Sequence, residues 1–309
     1  MRRRLLRSYL RATGQFSPEV LLFDLTHRCN SRCQGCGFRE AEPGELSAIR
    51  WVELAQEGKE LGFSELQLTG GEPLLHPEIS ELLPKLSAVL PVSVITNGLL
   101  LARYRDLLKI HVQALYISWD GWDAESYARV RGVRGFEVIK KGISELRGKV
   151  SLHARVTVWG QSVGRLGEIA GSARDAGFDR VSFLAPDLES EGFGDRSGML
   201  GAVVPGAEQV PELLKELESL ASLPYLGQSR ASLMRVGSLV SGARQAPFCV
   251  APWTAGLVGP SGQWRRCFFL GSPENVDSGL KMAIQNDKSG RGFRPEENPV
   301  CQRCVCWRG

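Results

Sequence analysis

Eight cysteines occur in this chain, and their placement says more than their number. Three fall on one short segment, Cys29-Asn30-Ser31-Arg32-Cys33-Gln34-Gly35-Cys36, with the spacing Cys-x3-Cys-x2-Cys. Three thiolates on a compact loop can hold three irons of a cubane cluster. The fourth iron then lacks a protein ligand, since full ligation uses four cysteines. An open metal position suits catalysis, because a reactant can coordinate there. Zinc is the alternative, as close cysteine pairs are also zinc ligands and His27 could complete such a site. The other five cysteines, Cys249, Cys267, Cys301, Cys304 and Cys306, gather towards the end of the chain. A disulfide scaffold spreads its cysteines through a short secreted chain. Clusters in a long chain point instead to metal binding in a reducing, cytoplasmic setting.

Elements that would position these residues follow from the hydrophobic pattern. Short β-rich runs at Val20–Thr26, Glu65–Thr69, Val92–Thr96, Ala114–Trp119, Ser151–Trp159 and Arg180–Ala185 alternate with helical stretches near 46–61, 78–89, 101–110, 136–147 and 162–176. Gly62 and Gly177, each followed by Phe, mark helix C-termini. Six strand–helix units imply an α/β fold with a parallel sheet and right-handed crossovers. They are too few for a closed eight-fold barrel, so an open partial barrel is expected. The three-cysteine loop directly follows the first strand, at the carboxyl end where α/β folds place their chemistry.

The chain has 309 residues, 43% hydrophobic and 23% charged, with a net charge of +4. That composition suits a well-cored soluble protein, and the charge is too small to argue for nucleic acid. No apolar run is long enough to cross a bilayer. Residues 1–18 read as a short basic helix. Leu5, Leu6, Tyr9 and Leu10 share one face, for packing or, as the alternative, for contact with an anionic membrane surface. Residues 19–190 form the core, 191–244 a polar loop and linking helices near 207–221 and 230–242, and 245–309 a Cys-, Gly- and Trp-rich tail with little periodicity.

In combination, the motifs resemble the radical S-adenosylmethionine (radical SAM) superfamily. The cysteine loop is similar to its signature, and Gly70-Gly71-Glu72-Pro73 to its GGEP motif. Ile95-Thr96-Asn97-Gly98 ends the third strand as family members often do, and Ile117-Ser118-Trp119-Asp120-Gly121 resembles an ISxDG segment. The resemblance implies a partial (β/α)6 TIM-like barrel, a 4Fe–4S cluster on Cys29, Cys33 and Cys36, and S-adenosylmethionine bound at its open iron. It implies that Gly70, Gly71, Glu72 and Pro73 hold the methionyl amino group, that Ser118 and Asp120 face the ribose or methionyl end, and that Arg131 pairs with the carboxylate. Reductive cleavage would yield a 5′-deoxyadenosyl radical that abstracts hydrogen from substrate, with a flavodoxin- or ferredoxin-type electron donor. One departure is Gly35, where the family often has an aromatic residue near the adenine.

Cys249, then Gly262, then Cys267 resembles the opening of the SPASM and twitch extensions of this superfamily, with a hairpin at Pro260-Ser261-Gly262. The resemblance implies a second, auxiliary 4Fe–4S cluster on Cys249, Cys267, Cys301 and Cys304, in the shorter single-cluster twitch form. Cys306 is left as an alternative ligand, an unused thiol or a hydrogen-donating catalytic thiol. Trp253 and Trp264 read as packing residues.

Asp187, Glu189, Asp195 and Arg196 follow the sixth strand and are candidate substrate contacts, with solvated loop charges as the alternative. Peptide-modifying relatives often carry a recognition domain ahead of the barrel; with the first strand near residue 20, the expectation is that this chain lacks that module, which can also be encoded separately. The expectation is therefore oxidation or carbon-centred remodelling of a small molecule, with maturation of a ribosomally made peptide as the alternative. A non-catalytic iron–sulfur carrier or a zinc-stabilised binding protein is the reading of another class.

Overall fold

The computed structural model describes residues 13, 16–34, 36–38, 43–186, 204–243, 249–267, 270–287, 289, 293–294, 297–298 and 301. Gly35, Asp187, Glu189, Asp195, Arg196, Cys304, Cys306 and most of the expected basic helix over 1–18 lie outside the described residues.

Six strands, β1 (Val20–Asp24), β2 (Glu65–Thr69), β3 (Val92–Thr96), β4 (Ala114–Ser118), β5 (Ser151–Thr157) and β6 (Arg180–Leu184), occupy the six expected runs. With β7 (Ala255–Val258), β8 (Gln263–Cys267) and β9 (Leu270–Asn275) they make one sheet in the order β6-β5-β4-β3-β2-β1-β7-β8-β9. The β1/β2, β2/β3, β4/β5 and β5/β6 pairs are all parallel. The sheet ends at β6 and β9 rather than closing, which is the open, partial-barrel arrangement expected from six units. The chain divides into two compact units, one from Met1–Arg28, Glu40–Val94 and Ala246–Gly309, the other from Cys29–Arg39 and Ile95–Gln245.

In the first unit, α1 (Ala48–Glu60) and α2 (Ile79–Val89) follow β1 and β2. Ser47 caps α1 by accepting the Arg50 N–H, and Trp51, Leu54, Ala55 and Gly58 make its buried stripe at helical spacing. The tail contributes more regular structure than its sequence suggested. β7 lies parallel to β1, with Val20 opposite Ala255 and Phe23 opposite Val258. All four β7 residues are buried, so an alternating pattern never arises. The turn at Pro260–Gly262 does form a hairpin, pairing Val258 with Trp264. Trp253 and Trp264 are both fully buried, as packing residues should be. Asp287, just after the helix Leu280–Asn286, accepts from the Trp264 indole at 3.0 Å and from Arg266 Nε at 2.9 Å.

In the second unit, α3 (Arg105–His111), α4 (Ala124–Arg131), α5 (Phe136–Leu146) and α6 (Leu166–Ala176) accompany β4–β6, and α7 (Val210–Leu220) and α8 (Arg230–Val240) follow. Phe136, Ile139, Ile143 and Leu146 line one face of α5 and are all buried. Each such side chain contributes about 1.5–3 kcal/mol on leaving water. Trp119, just past β4, stacks on Phe136 with centroids 4.4 Å apart, and its indole donates to Ser172 at 2.9 Å. Helix α4 was not foreseen from sequence. Its Asp123/Ser126 capping box and left-handed Gly132 C-cap define it sharply.

Candidate active site

The cysteine loop leaves β1 through Thr26, His27 and Arg28. Thr26 donates from Oγ1 to Glu45 at 2.6 Å and accepts the Arg28 N–H at 3.1 Å, and His27 Nε2 lies 3.1 Å from Asp24 Oδ2. The Gly70–Pro73 segment leaves β2 beside this stretch of backbone. Gly71 N–H donates to the Thr26 carbonyl and Glu72 N–H to the Arg28 carbonyl, both at 2.8 Å. A Cβ on Gly71 would come within 2.6 Å of the Arg28 carbonyl oxygen and 2.7 Å of that of His27. Only glycine permits this approach. Glu72 is fully buried and caps the turn at Pro73–Leu75 by accepting the Leu74 N–H at 3.1 Å.

In the second unit, the loop continues with Cys29, Cys33 and Cys36, three half-buried thiols. The loop is pinned to the C-terminus of α4, whose last carbonyls need partners outside the helix. Arg32 N–H donates to the Arg131 carbonyl at 3.1 Å, and Gln34 N–H to the Val130 carbonyl at 3.0 Å. Gly132, with φ +67°, turns the chain away, and a Cβ there would collide with the Arg32 carbonyl. Two backbone bonds and a glycine therefore set the position of Cys33. Burial pushes the Cys33 thiol up to about 11, against the attraction of Arg131 for its thiolate. A bound cation reverses such a penalty.

Arg131 is the hub of the charged part. Its Nη1 donates to Asp120 Oδ2 at 3.1 Å, and Asp120 Oδ1 accepts the Thr157 N–H at 2.7 Å. Asp120 is 2% exposed, and burial raises it from the ordinary carboxylate range while Arg131 and the Thr157 N–H oppose that rise. Both Asp120 oxygens are thus engaged by the protein. In this geometry Asp120 holds Arg131 Nη1. Arg131 Nε is buried and makes no hydrogen bond among the described residues. A buried cationic donor with capacity left over fits a carboxylate ligand. Ser118 ends β4, half-buried, in register with Arg155 of β5.

Among the described residues, no three His, Cys, Asp or Glu side chains converge closely enough to hold a single metal ion. Three half-buried thiols on one short loop are a donor set for three irons of a cubane. Cys267 ends β8 opposite Leu270, Cys249 precedes the short helix Ala251–Thr254, and Cys301 is buried. With Cys304 and Cys306 undescribed, the auxiliary ligand set is not seen assembled.

Sequence reading missed the pinning of the loop by α4. The signals were Asp123 three residues before Ser126, and Gly132 after the last helical residue. It also assigned Asn97 no task, although its amide meets the cysteine loop.

Comparison with known proteins agrees with this geometry. The family model described as Radical SAM superfamily matches residues 23–183. A probable GTP 3′,8-cyclase of Archaeoglobus fulgidus is 37% identical over 124 residues, covering 39% of this chain and 42% of that protein. The PqqA peptide cyclase of Gluconobacter oxydans is 25% identical over 210 residues, covering 65% of this chain and 58% of the relative. The chain thus spans about half the length of these curated relatives. Among solved structures, Streptococcus suis SuiB bound to S-adenosylmethionine superposes with a TM-score of 0.65 at 17% identity, over 97% of this chain and 75% of that one. Native anSMEcpe with bound AdoMet gives 0.69 at 16% identity, over 94% and 88%. These two share the fold. No helix among the described residues is long and apolar enough to cross a membrane. With its strand order, its cysteine loop and a family match over more than half its length, the chain belongs to the radical SAM superfamily.

Proposed function

We propose that this chain reductively cleaves S-adenosylmethionine and uses the resulting radical on a peptide substrate. Cys29, Cys33 and Cys36 would hold the 4Fe–4S cluster. Gly70, Gly71, Glu72 and Pro73 would receive the methionyl amino group, Ser118 the ribose or methionyl end, and Arg131 the carboxylate, with Asp120 keeping its guanidinium in place. When bound, this cluster and cofactor supply, on one-electron reduction, a 5′-deoxyadenosyl radical that takes a hydrogen atom from the substrate. The observation that carries the reading is the anchoring of the cysteine loop on α4, with the charged Arg131 side chain beside Cys33. The electron would come from a flavodoxin- or ferredoxin-type donor. Cys249, Cys267, Cys301 and Cys304 would hold a second 4Fe–4S cluster, whose use would be to accept the electron left on the substrate.

The peptide reading draws on the breadth of the likeness. The PqqA peptide cyclases match over more of the chain than the GTP 3′,8-cyclases do, and SuiB has been solved bound to its precursor peptide SuiA. The second reading, oxidation or remodelling of a small molecule, draws on the higher identity to a GTP 3′,8-cyclase. The test is 5′-deoxyadenosine release under anaerobic reduction, with cell extract separated into peptide and small-molecule fractions. Stimulation by the peptide fraction supports the first reading, and stimulation by the small-molecule fraction alone supports the second. No release from wild type under any reductant would sink both and favour an electron-carrying or metal-stabilised binding protein.

A further inference from the structure

Asn97 follows β3 and is 3% exposed. Its Oδ1 accepts the Leu99 N–H at 3.0 Å, which fixes which end of the amide faces the backbone. The amino end therefore points the other way, into the cysteine loop. Nδ2 donates to Asn30 Oδ1 at 2.7 Å and lies 3.9 Å from Cys29 Sγ, inside the longer reach of a sulfur acceptor. The Ser31 N–H lies 3.5 Å from the same sulfur. The flanking residues hold this geometry. Thr96 Oγ1 accepts the Gly98 N–H at 3.0 Å, and Gly98, at φ +83°, has Ile117 and Ile139 where a side chain would go. The Thr96-Asn97-Gly98 turn is thus built to aim one amide at Cys29.

We propose that Asn97 is a positioning residue that tunes the cluster held by Cys29, by donating an N–H to its sulfur. This rests on the reading of Cys29 as a cluster ligand. A hydrogen bond to a ligand sulfur stabilises negative charge there. The reduced cluster carries one more electron than the oxidised one, so the bond favours reduction, the step on which cofactor cleavage depends. Asn97 has two amide hydrogens, so the Asn30 and Cys29 contacts need not compete.

The test is a mediator-poised redox titration, followed by EPR, of anaerobically reconstituted wild type, Asn97→Leu, Asn97→Asp and Asn30→Ala. The signal followed is the one that S-adenosylmethionine perturbs, which selects the cluster with an open iron. Asn97→Leu is expected to keep its iron while its reduced fraction at a fixed poise falls about tenfold, equivalent to about 59 mV for a one-electron couple. Asn97→Asp falls further, because a carboxylate there repels the thiolate, and its near-identical shape preserves the comparison should Asn97→Leu load poorly. Asn30→Ala stays near wild type. Wild-type potentials in the loaded Asn97 variants would overturn the proposal. So would a shift in Asn30→Ala as large as in Asn97→Leu, which would assign the effect to loop anchoring alone. Wild type lacking any S-adenosylmethionine-sensitive cluster is a different failure, that of the cofactor assignment itself.

Discussion

Asp120 and Arg131 form an ion pair at 3.1 Å, with the second Asp120 oxygen taking the Thr157 N–H at 2.7 Å. The pair ties the end of β4 to α4 and β5, and α4 in turn carries the cysteine loop. Removing one member of a buried pair leaves the other charge uncompensated. Asp120→Ala is expected to cost about 3–5 kcal/mol. Asp120→Asn, which keeps the shape and one acceptor, should cost less. Urea unfolding of the cluster-free protein measures both, and a wild-type midpoint in Asp120→Ala would contradict the role.

Gly132→Ala probes the seat of the loop. A left-handed non-glycine residue costs about 1–2 kcal/mol by itself, and here the added methyl also meets the Arg32 carbonyl. The loop must shift, so iron per chain and the S-adenosylmethionine-sensitive EPR signal should both fall. Full iron with an unchanged signal would mean that α4 does not position Cys33.

His76 gives a pH dependence whose sign is fixed. It is buried, and its Nδ1 lies 3.3 Å from the Glu78 N–H, an arrangement that needs the neutral ring. Burial lowers its pKa from the ordinary 6.5, against the pull of Glu78 and Glu45. Below pH 6.5 the unfolded chain therefore binds the proton more readily than the folded one, and stability falls as the solution is acidified towards the folded value. His76→Gln should flatten that slope in urea midpoints between pH 7 and pH 5. An unaltered slope would show that other groups set it.

The Cys249→Ala, Cys267→Ala double variant separates the two halves of the chemistry. Uncoupled 5′-deoxyadenosine release should persist while product formation stops. Normal product yield would reduce the tail to a structural part.

Much of this architecture was legible because strands and helices carry different periods. All six core strands lie where β-rich runs predicted them, and the helices that bury Leu, Ile and Phe at helical spacing, such as α5, were readable too. Helix α4 escaped because it is short, polar and rich in arginine, so its existence rests on caps rather than on an apolar stripe. Strand β7 escaped because a strand buried on both faces shows no alternation, whereas the turn from it into β8, at Pro260–Gly262, was readable. Within the site, the residue types at Cys29, Gly71 and Arg131 suggested the chemistry proposed for them. The engagement of Asp120 by Arg131 and Thr157, and the aim of Asn97, depend on contacts between distant segments that no local spacing encodes.

The most direct test of the central claim is iron and sulfide content with Mössbauer spectra, on anaerobically reconstituted wild type and the Cys29/Cys33/Cys36 triple-Ala variant. The account predicts about eight irons falling to about four, as expected for loss of one of two 4Fe–4S clusters, and no 5′-deoxyadenosine from the variant. A variant that keeps the wild-type iron and still cleaves S-adenosylmethionine would contradict it.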